Sequence, residues 1–183
     1  MEKLDVPRFG QARRGHCVPT CLKMVLEHVK LRNGPDIPNL SISKIAKEIH
    51  TEEDGTPPGQ IENVNNLLQK AKPSVEFKTV VMGRFPEIQK ELLEKRQPVI
   101  ALINIANLPD TVKHAIVLTH YAEEVHEVFY IDPEDHKTEK HMEAGVFIKK
   151  WGLQAIMVKV LVGEREQRHM PEYWLEEKTD VKV

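Results

Sequence analysis

The sequence predicts an α+β fold in which a helical first half packs on a mainly antiparallel sheet. Residues 1–72 carry apolar side chains at helical spacing and no strand-like run, whereas short apolar runs follow one another from Val75 onward. Two of these runs are joined by a short polar turn, as in an antiparallel hairpin. Because helices come first and strands follow, the order of elements is typical of α+β proteins.

The composition is that of a single-domain protein. The chain has 183 residues, of which 40% are hydrophobic and 30% charged, with a net charge of -2. This length suits one domain with a full core, and the near-neutral charge gives no general attraction to nucleic acid or to an anionic membrane. No apolar run approaches the roughly 20 residues that span a bilayer, and residues 1–8 lack the apolar core of a signal peptide. We therefore expect a cytoplasmic protein with no membrane span and no nucleic-acid partner, and the oligomeric state stays open.

Three helices are predicted in the first half, each bounded by residues that favour a cap, a turn or a break. Residues 4–9 before them are expected to be extended, because Pro7 blocks a helix there. The predicted helices are Pro19–Leu31, a second that Ser41 or Ser43 caps and that ends at His50, and Gln60–Ala71.

The second half predicts a sheet with two further helices. The predicted strands are Val75–Val81, Pro98–Ile105, His114–Tyr121, Val125–Asp132 and Leu153–Val162, and the predicted helices are Pro86–Arg96 and Glu143–Trp151. We expect these elements to form one domain over residues 1–162. A charged extension then covers residues 163–183, with a short helix around Trp174.

A cysteine stands where the first helix begins. Cys17 follows a polar loop, and Pro19 fits the first turn of the helix after it. The unpaired N–H groups and the dipole at a helix N-terminus favour an anion, and a thiolate is such an anion. Two cysteines are too few for a disulfide framework, and Cys21 shares a helix face with Cys17. We expect Cys21 to belong to the core.

The predicted hairpin brings a histidine and an aspartate together. If its turn centres on Glu123, paired residues have numbers that sum to about 246, so that His114 faces Asp132. Directly paired residues point to the same side of a sheet with Cβ atoms about 4.5–5.5 Å apart. This spacing suits an imidazole–carboxylate hydrogen bond, whereas a slip of one residue separates the two side chains.

These residues have the types that nucleophilic catalysis needs. A nucleophilic cysteine requires a base, and the base requires a third group that orients its ring. Cys17, His114 and Asp132 are candidates for these three roles. The Gln11 amide, reaching across the loop, and the Cys17 backbone N–H are candidate donors to a developing oxyanion.

Each residue also has an ordinary explanation when it is taken alone. Free cysteines are commonly buried, Asp132 before Pro133 is a common turn opener, and loop glutamines are mostly solvated. A soft-metal site that includes His16, Cys17 and Cys21 is an alternative, but no second cluster at metal spacing supports it. We therefore expect no metal and no cofactor.

The sequence resembles the C39-type and C39-like cysteine peptidases, which have the papain-like fold. The resemblance covers about Val6 to Trp151. It is carried by Val6-Pro7, Gln11 ahead of Cys17, the helix from Cys17 to Leu26, Ile45-Ala46, Gly55-Thr56, Arg96-Gln97-Pro98-Val99-Ile100, His114-Ala115-Ile116-Val117-Leu118 and Tyr130-Ile131-Asp132-Pro133.

The resemblance implies a role for each candidate residue. By it, Cys17 is the nucleophile, His114 the base, Asp132 the orienting acid and Gln11 the oxyanion residue. It implies cleavage of a peptide bond in a peptide or protein substrate. Family members fused to an export transporter often cut after a double-glycine leader. We expect no transporter and no membrane span here, so this substrate does not carry over.

The residues that flank the cysteine depart from the family pattern. Family members usually have an acidic residue before the cysteine and Gly-Pro after it, whereas this chain has His16 before it and Val18-Pro19 after it. Two alternatives therefore stay open beside a peptidase. One is a related amidase or transpeptidase that uses the same residues, and the other is an inactive peptide-binding module of the same fold.

Overall fold

The structure is a computed structural model that describes residues 3–57, 59–81, 83–105 and 113–161. The helices are α1 (Cys17–Asn33), α2 (Ile42–Glu48), a 3₁₀ helix (Ile61–Leu67), α3 (Phe85–Leu93) and α4 (Ala144–Lys150). The strands are β1 (Ser74–Val81), β2 (Val99–Asn104), β3 (Lys113–Ala122), β4 (Glu127–Asp132), β5 (Asp135–Glu143) and β6 (Trp151–Leu161). The predicted extension over residues 163–183 lies outside the described residues.

The six strands form one sheet in the order β1-β6-β2-β3-β4-β5. Every neighbouring pair is antiparallel, as the sequence of helices followed by strands predicts. The central strands β2 and β3 are continuous apolar runs, so that the sheet centre is buried. Val99, Ile100, Ala115 and Ile116 have no exposed surface. None of the helices in the described ranges is long and apolar enough to cross a membrane.

Helix α1 is the central helix, with contacts to both β3 and α2. An amphipathic helix with one apolar face is expected here, but residues 17–26 are all buried. The two polar side chains among the buried turns have partners: the Thr20 hydroxyl donates to the His16 carbonyl over 2.7 Å. The Lys23 ammonium donates to Glu27 over 2.6 Å and to Asn39 over 2.8 Å. Because these groups are satisfied, burial on all sides is possible.

The predicted helix Gln60–Ala71 is wrong in type and length, since a 3₁₀ helix covers Ile61–Leu67. Its polar side chains form hydrogen bonds with the backbone of the edge strand β1. The Asn65 amide donates to the Phe77 carbonyl and accepts from the Phe77 N–H, each over 2.8 Å. Glu62 accepts from the Thr79 N–H over 2.8 Å. These bonds cover backbone groups that an edge strand leaves unpaired.

Strand β5 (Asp135–Glu143) was not predicted from the sequence. The segment is charged on both faces, so that it lacks the apolar alternation by which a half-buried strand is found. It lies at the sheet edge, where charged residues prevent pairing with other chains. Its pairing with β4 places residues 133–134 in a tight turn next to the candidate site.

The predicted hairpin register is wrong by three residues next to the turn, where His120 pairs with Phe129, and by two residues on the side of His114. Val117 pairs with Ile131 and Leu118 with Tyr130, so that the paired numbers sum to 248, and a bulge follows before His120. Because side chains alternate with a period of two, a shift of two residues keeps His114 and Asp132 on one face as diagonal neighbours.

Candidate active site

Cys17 is the first residue of α1, at the base of the Gln11–His16 loop. Gly15 has a φ of 79°, and a Cβ at this position would lie 2.2 Å from the Glu52 carbonyl oxygen. Only glycine accepts both that conformation and that approach. The turn at residues 52–55 therefore fixes the loop directly before the cysteine. Cys17 itself is 9% exposed.

His114 and Asp132 are joined by a hydrogen bond. The imidazole Nε2 lies 2.8 Å from the Asp132 Oδ1, and the two side chains are 13% and 17% exposed. The carboxylate accepts, so Nε2 carries the proton in this pair. The bond holds the imidazole plane in one orientation at the start of β3.

The second interaction of His114 is with the cysteine, since the Cys17 side chain is among the groups that raise the pKa of the imidazole. Because Nε2 is bonded to Asp132, the remaining ring nitrogen, Nδ1, is the one that can face the sulfur. Helix α1 and the β3–β4 hairpin therefore bring the three side chains into one chain of contacts, although the cysteine lies far from the other two in sequence.

The electrostatics favour a charged histidine. Burial alone would lower the pKa of His114, but the hydrogen bonds to Asp132 and Cys17 outweigh it and raise the pKa to about 10. Burial would likewise raise the pKa of Asp132, but the bonds from His114 and from the Glu134 backbone lower it to about 2. Both shifts stabilise an imidazolium next to a carboxylate at neutral pH.

Two further residues hold Asp132. The Glu134 backbone N–H donates to Oδ1 over 2.9 Å, and the Lys140 ammonium donates to Oδ2 over 3.4 Å. Sequence reasoning missed both residues. An aspartate that bonds the backbone two positions on is a known turn signal and would have indicated Glu134. Lys140 had no such signal, because strand β5 was not predicted.

Gln11 lies beside the same turn. Its backbone N–H donates to the Pro133 carbonyl over 2.9 Å, and its side-chain Nε2 donates to Glu134 Oε1 over 3.3 Å. Its Oε1 atom is buried without a hydrogen-bond partner. The structure thus places Gln11 against the segment that directly follows Asp132.

The other residues near Cys17 in the sequence differ in how far their side chains are exposed. Cys21 is fully buried, its thiol lies 3.4 Å from the Ala115 carbonyl, and burial raises the pKa of that thiol. Val18 is 6% exposed and packs in the core. His16 is half-buried, and Arg13 and Arg14 are exposed.

One group of titratable side chains in the described ranges has donor atoms close enough to hold a cation. These are His114, Asp132 and Glu134, whose ligand atoms lie within 4.8 Å of one another. A protonated imidazole is not a metal ligand, and Nε2 of this ring is already bonded to the carboxylate. The cluster is therefore described best as a hydrogen-bonded network.

A buried helix N-terminal cysteine against a histidine–carboxylate pair is the arrangement that the cysteine peptidase class uses. Residues 3–155 match the Peptidase_C39 like family, and the chain belongs to this family. None of the curated proteins matches the chain in sequence.

Solved C39 peptidase domains share the fold. The peptidase domain of Streptococcus ComA, a bi-functional ABC transporter involved in quorum sensing, superimposes with a TM-score of 0.66 at 17% identity, over 86% of this chain and 100% of that one. A double glycine motif protease from an AMS/PCAT transporter, solved in complex with the leader peptide, superimposes with a TM-score of 0.59 at 16% identity. The match covers 87% of this chain and 94% of that one. The N-terminal peptidase C39 like domain of a Vibrio parahaemolyticus toxin secretion ATP-binding protein superimposes with a TM-score of 0.54 at 9% identity. The match covers 82% of this chain and 100% of that one.

These likenesses confirm the predicted fold class, which is α+β and papain-like with a helical first half on an antiparallel sheet. At these identities they concern the fold alone. The roles of Cys17, His114, Asp132 and Gln11 therefore stay predictions, although the first three are in contact.

Proposed function

We propose that this chain is a cysteine peptidase that cleaves a peptide bond through an acyl-enzyme on Cys17. One observation carries the proposal: the His114 imidazole is bonded to Asp132 over 2.8 Å and interacts with the Cys17 side chain, which helps to raise its pKa. Family membership supports a peptidase-like activity. The substrate is a peptide or protein, and no double-glycine specificity is proposed.

The first half of the reaction forms a thioester. Cys17 as thiolate attacks the substrate carbonyl carbon, a C–S bond forms, and the carbonyl oxygen takes the negative charge. The His114 imidazolium then gives its proton to the leaving amine, and the C–N bond breaks. Asp132 and Cys17 together raise the pKa of His114 to about 10, so the imidazole enters the reaction with its proton at neutral pH.

The second half restores the enzyme. His114, now neutral, takes a proton from a water molecule, and the resulting hydroxide attacks the thioester carbonyl. The C–S bond breaks, the acid product leaves, and the free Cys17 side chain and the protonated His114 are restored. The backbone N–H of Cys17 and the Gln11 amide donate to the oxygen in both halves.

The test compares the two cysteines of α1. We expect iodoacetamide to label the native protein at Cys17, and the protein to cleave members of a peptide library detected by mass spectrometry. Cys17→Ala should lose both reactions, because Cys21 is fully buried. Cys21→Ala should keep both. A library left intact by the native protein, or cleaved equally by Cys17→Ala, contradicts a peptidase that uses Cys17.

The products separate the proposal from its alternatives. A peptidase releases a free carboxylate, whereas a transpeptidase gives a new amide when an amine acceptor is added. A peptide-binding module binds library peptides and returns them unchanged. The expected location in the cytoplasm stays a prediction.

A further inference from the structure

The turn between β4 and β5 contacts both ends of the candidate site. Its members Pro133 and Glu134 follow Asp132 directly. The Glu134 backbone N–H bonds Asp132 Oδ1 over 2.9 Å, and its carboxylate accepts from Gln11 Nε2 over 3.3 Å. One residue is thus bonded to the carboxylate that orients His114 and to the amide expected to meet the oxyanion.

The backbone that carries Gln11 is already fixed on this turn and strand. The Gln11 N–H donates to the Pro133 carbonyl over 2.9 Å, and Arg8 donates to the Lys137 carbonyl over 3.1 Å. A Cβ on Gly10 would lie 2.5 Å from the ring of His136, so the chain passes directly over it. With the backbone held, only the rotation of the Gln11 side chain remains to be set.

The Glu134 carboxylate sets that rotation. An ionised carboxylate only accepts hydrogen bonds, so it selects the NH₂ end of the Gln11 amide and repels the oxygen end. The Gln11 Oε1 atom has no partner of its own, so it does not oppose this choice. An amide NH₂ has two hydrogens, of which one points to Glu134 and the other is left for a substrate oxygen.

We propose that Glu134 is a positioning residue that aims the Gln11 amide at the oxyanion. This inference rests on the proposed function of Cys17. Glu134 itself touches no reacting atom. It acts through Gln11, so its effect should be confined to reactions in which a carbonyl oxygen gains charge.

The experiment uses two reagents on the full chain. Iodoacetamide alkylates the Cys17 sulfur without forming an oxyanion, whereas p-nitrophenyl acetate acylates it through one and releases p-nitrophenolate. We expect Gln11→Ala to slow acylation by about 10²–10³-fold. We expect Glu134→Ala to slow it by about tenfold, the order of magnitude that the loss of one hydrogen bond to a charged group gives. Neither change should alter the alkylation rate.

Three further variants test the positioning role. Glu134→Gln still presents an acceptor oxygen to Gln11, so acylation should return to within about twofold of the native rate. Asp135→Ala removes the same charge from the next residue, which bonds Lys140, and should leave acylation unchanged. Adding Glu134→Ala to Gln11→Ala should cost nothing more, because coupled residues are not additive.

The outcomes separate this inference from the proposed function. If the native protein reacts with neither reagent, the proposed function fails and the inference fails with it. If it reacts with both and Glu134→Ala acylates at the native rate or faster, the inference alone is wrong. A further loss in the double variant also contradicts it, because Glu134 would then act other than through Gln11.

Discussion

The two ends of strand β3 carry the same residue type in opposite electrostatic states. His114 at one end is bonded to Asp132 and Cys17, and its pKa is raised to about 10. His120 at the other end is 8% exposed, and burial with the nearby charges of Lys3 and Arg96 lowers its pKa. Burial opposes the charged form at both ends. The partners on the neighbouring strand and helix therefore decide which histidine holds a proton.

The largest effect that tests this comparison is on activity. His114→Gln should lower kcat/KM for a cleaved peptide by about 10²–10⁴-fold, the usual contribution of a general acid–base group. His120→Gln should leave it unchanged, because that side chain lies at the far end of the strand. Both variants keep a polar side chain of similar length, and thermal melting followed by circular dichroism checks their folding. Equal losses in both variants would mean that β3 as a whole, and not the His114 site, is needed.

The sequence was a good guide to the elements that bury apolar surface. Helix α1 and strands β2 and β3 were predicted because their spacing and turn residues agree with their burial. Strand β5 and the 3₁₀ helix were not, because their structure depends on partners distant in sequence. Strand β5 is a charged edge, and the 3₁₀ helix is fixed by Asn65 bonding to Phe77.

The candidate site could be predicted only in part, for a related reason. The predicted pairing of His114 with Asp132 is present although the predicted register was wrong by two residues at this end of the hairpin. Side chains alternate between the two faces of a sheet every second residue, so a shift of two leaves both on the same face. Contact between the hairpin and Cys17 could not be derived from spacing; it was a hypothesis from the residue types that nucleophilic catalysis needs, and the family resemblance supported it. Glu134 and Lys140 were missed, since their contacts exist only once β5 has paired with β4.

The second-largest effect that tests the comparison of His114 with His120 is a shift in the pH dependence of kcat/KM. Asp132→Asn keeps an acceptor oxygen for His114 but removes the negative charge that favours the imidazolium. The pKa of His114 should fall, and the alkaline limb of the kcat/KM profile should move to lower pH by about 1–3 units. Profiles of the native and variant proteins on one peptide measure this shift. Coincident alkaline limbs would show that Asp132 does not control the histidine charge.

The smallest effect is on stability, where the two histidines should give opposite slopes. Between pH 6.5 and about 10 the folded state keeps a proton on His114 that the unfolded state has lost, so its contribution is complete below pH 6.5 and disappears as pH rises. His120 behaves in reverse, because its lowered pKa leaves the folded state neutral while the unfolded state binds a proton. His120 therefore destabilises the folded state increasingly as pH falls below 6.5. Melting curves at several pH values should show His114→Gln losing its deficit against the native protein at alkaline pH. The stability of His120→Gln relative to the native protein should be greatest at acid pH. If the stability difference between variant and native protein changed with pH in the same direction for both variants, the contrast between the two ends of β3 would be contradicted.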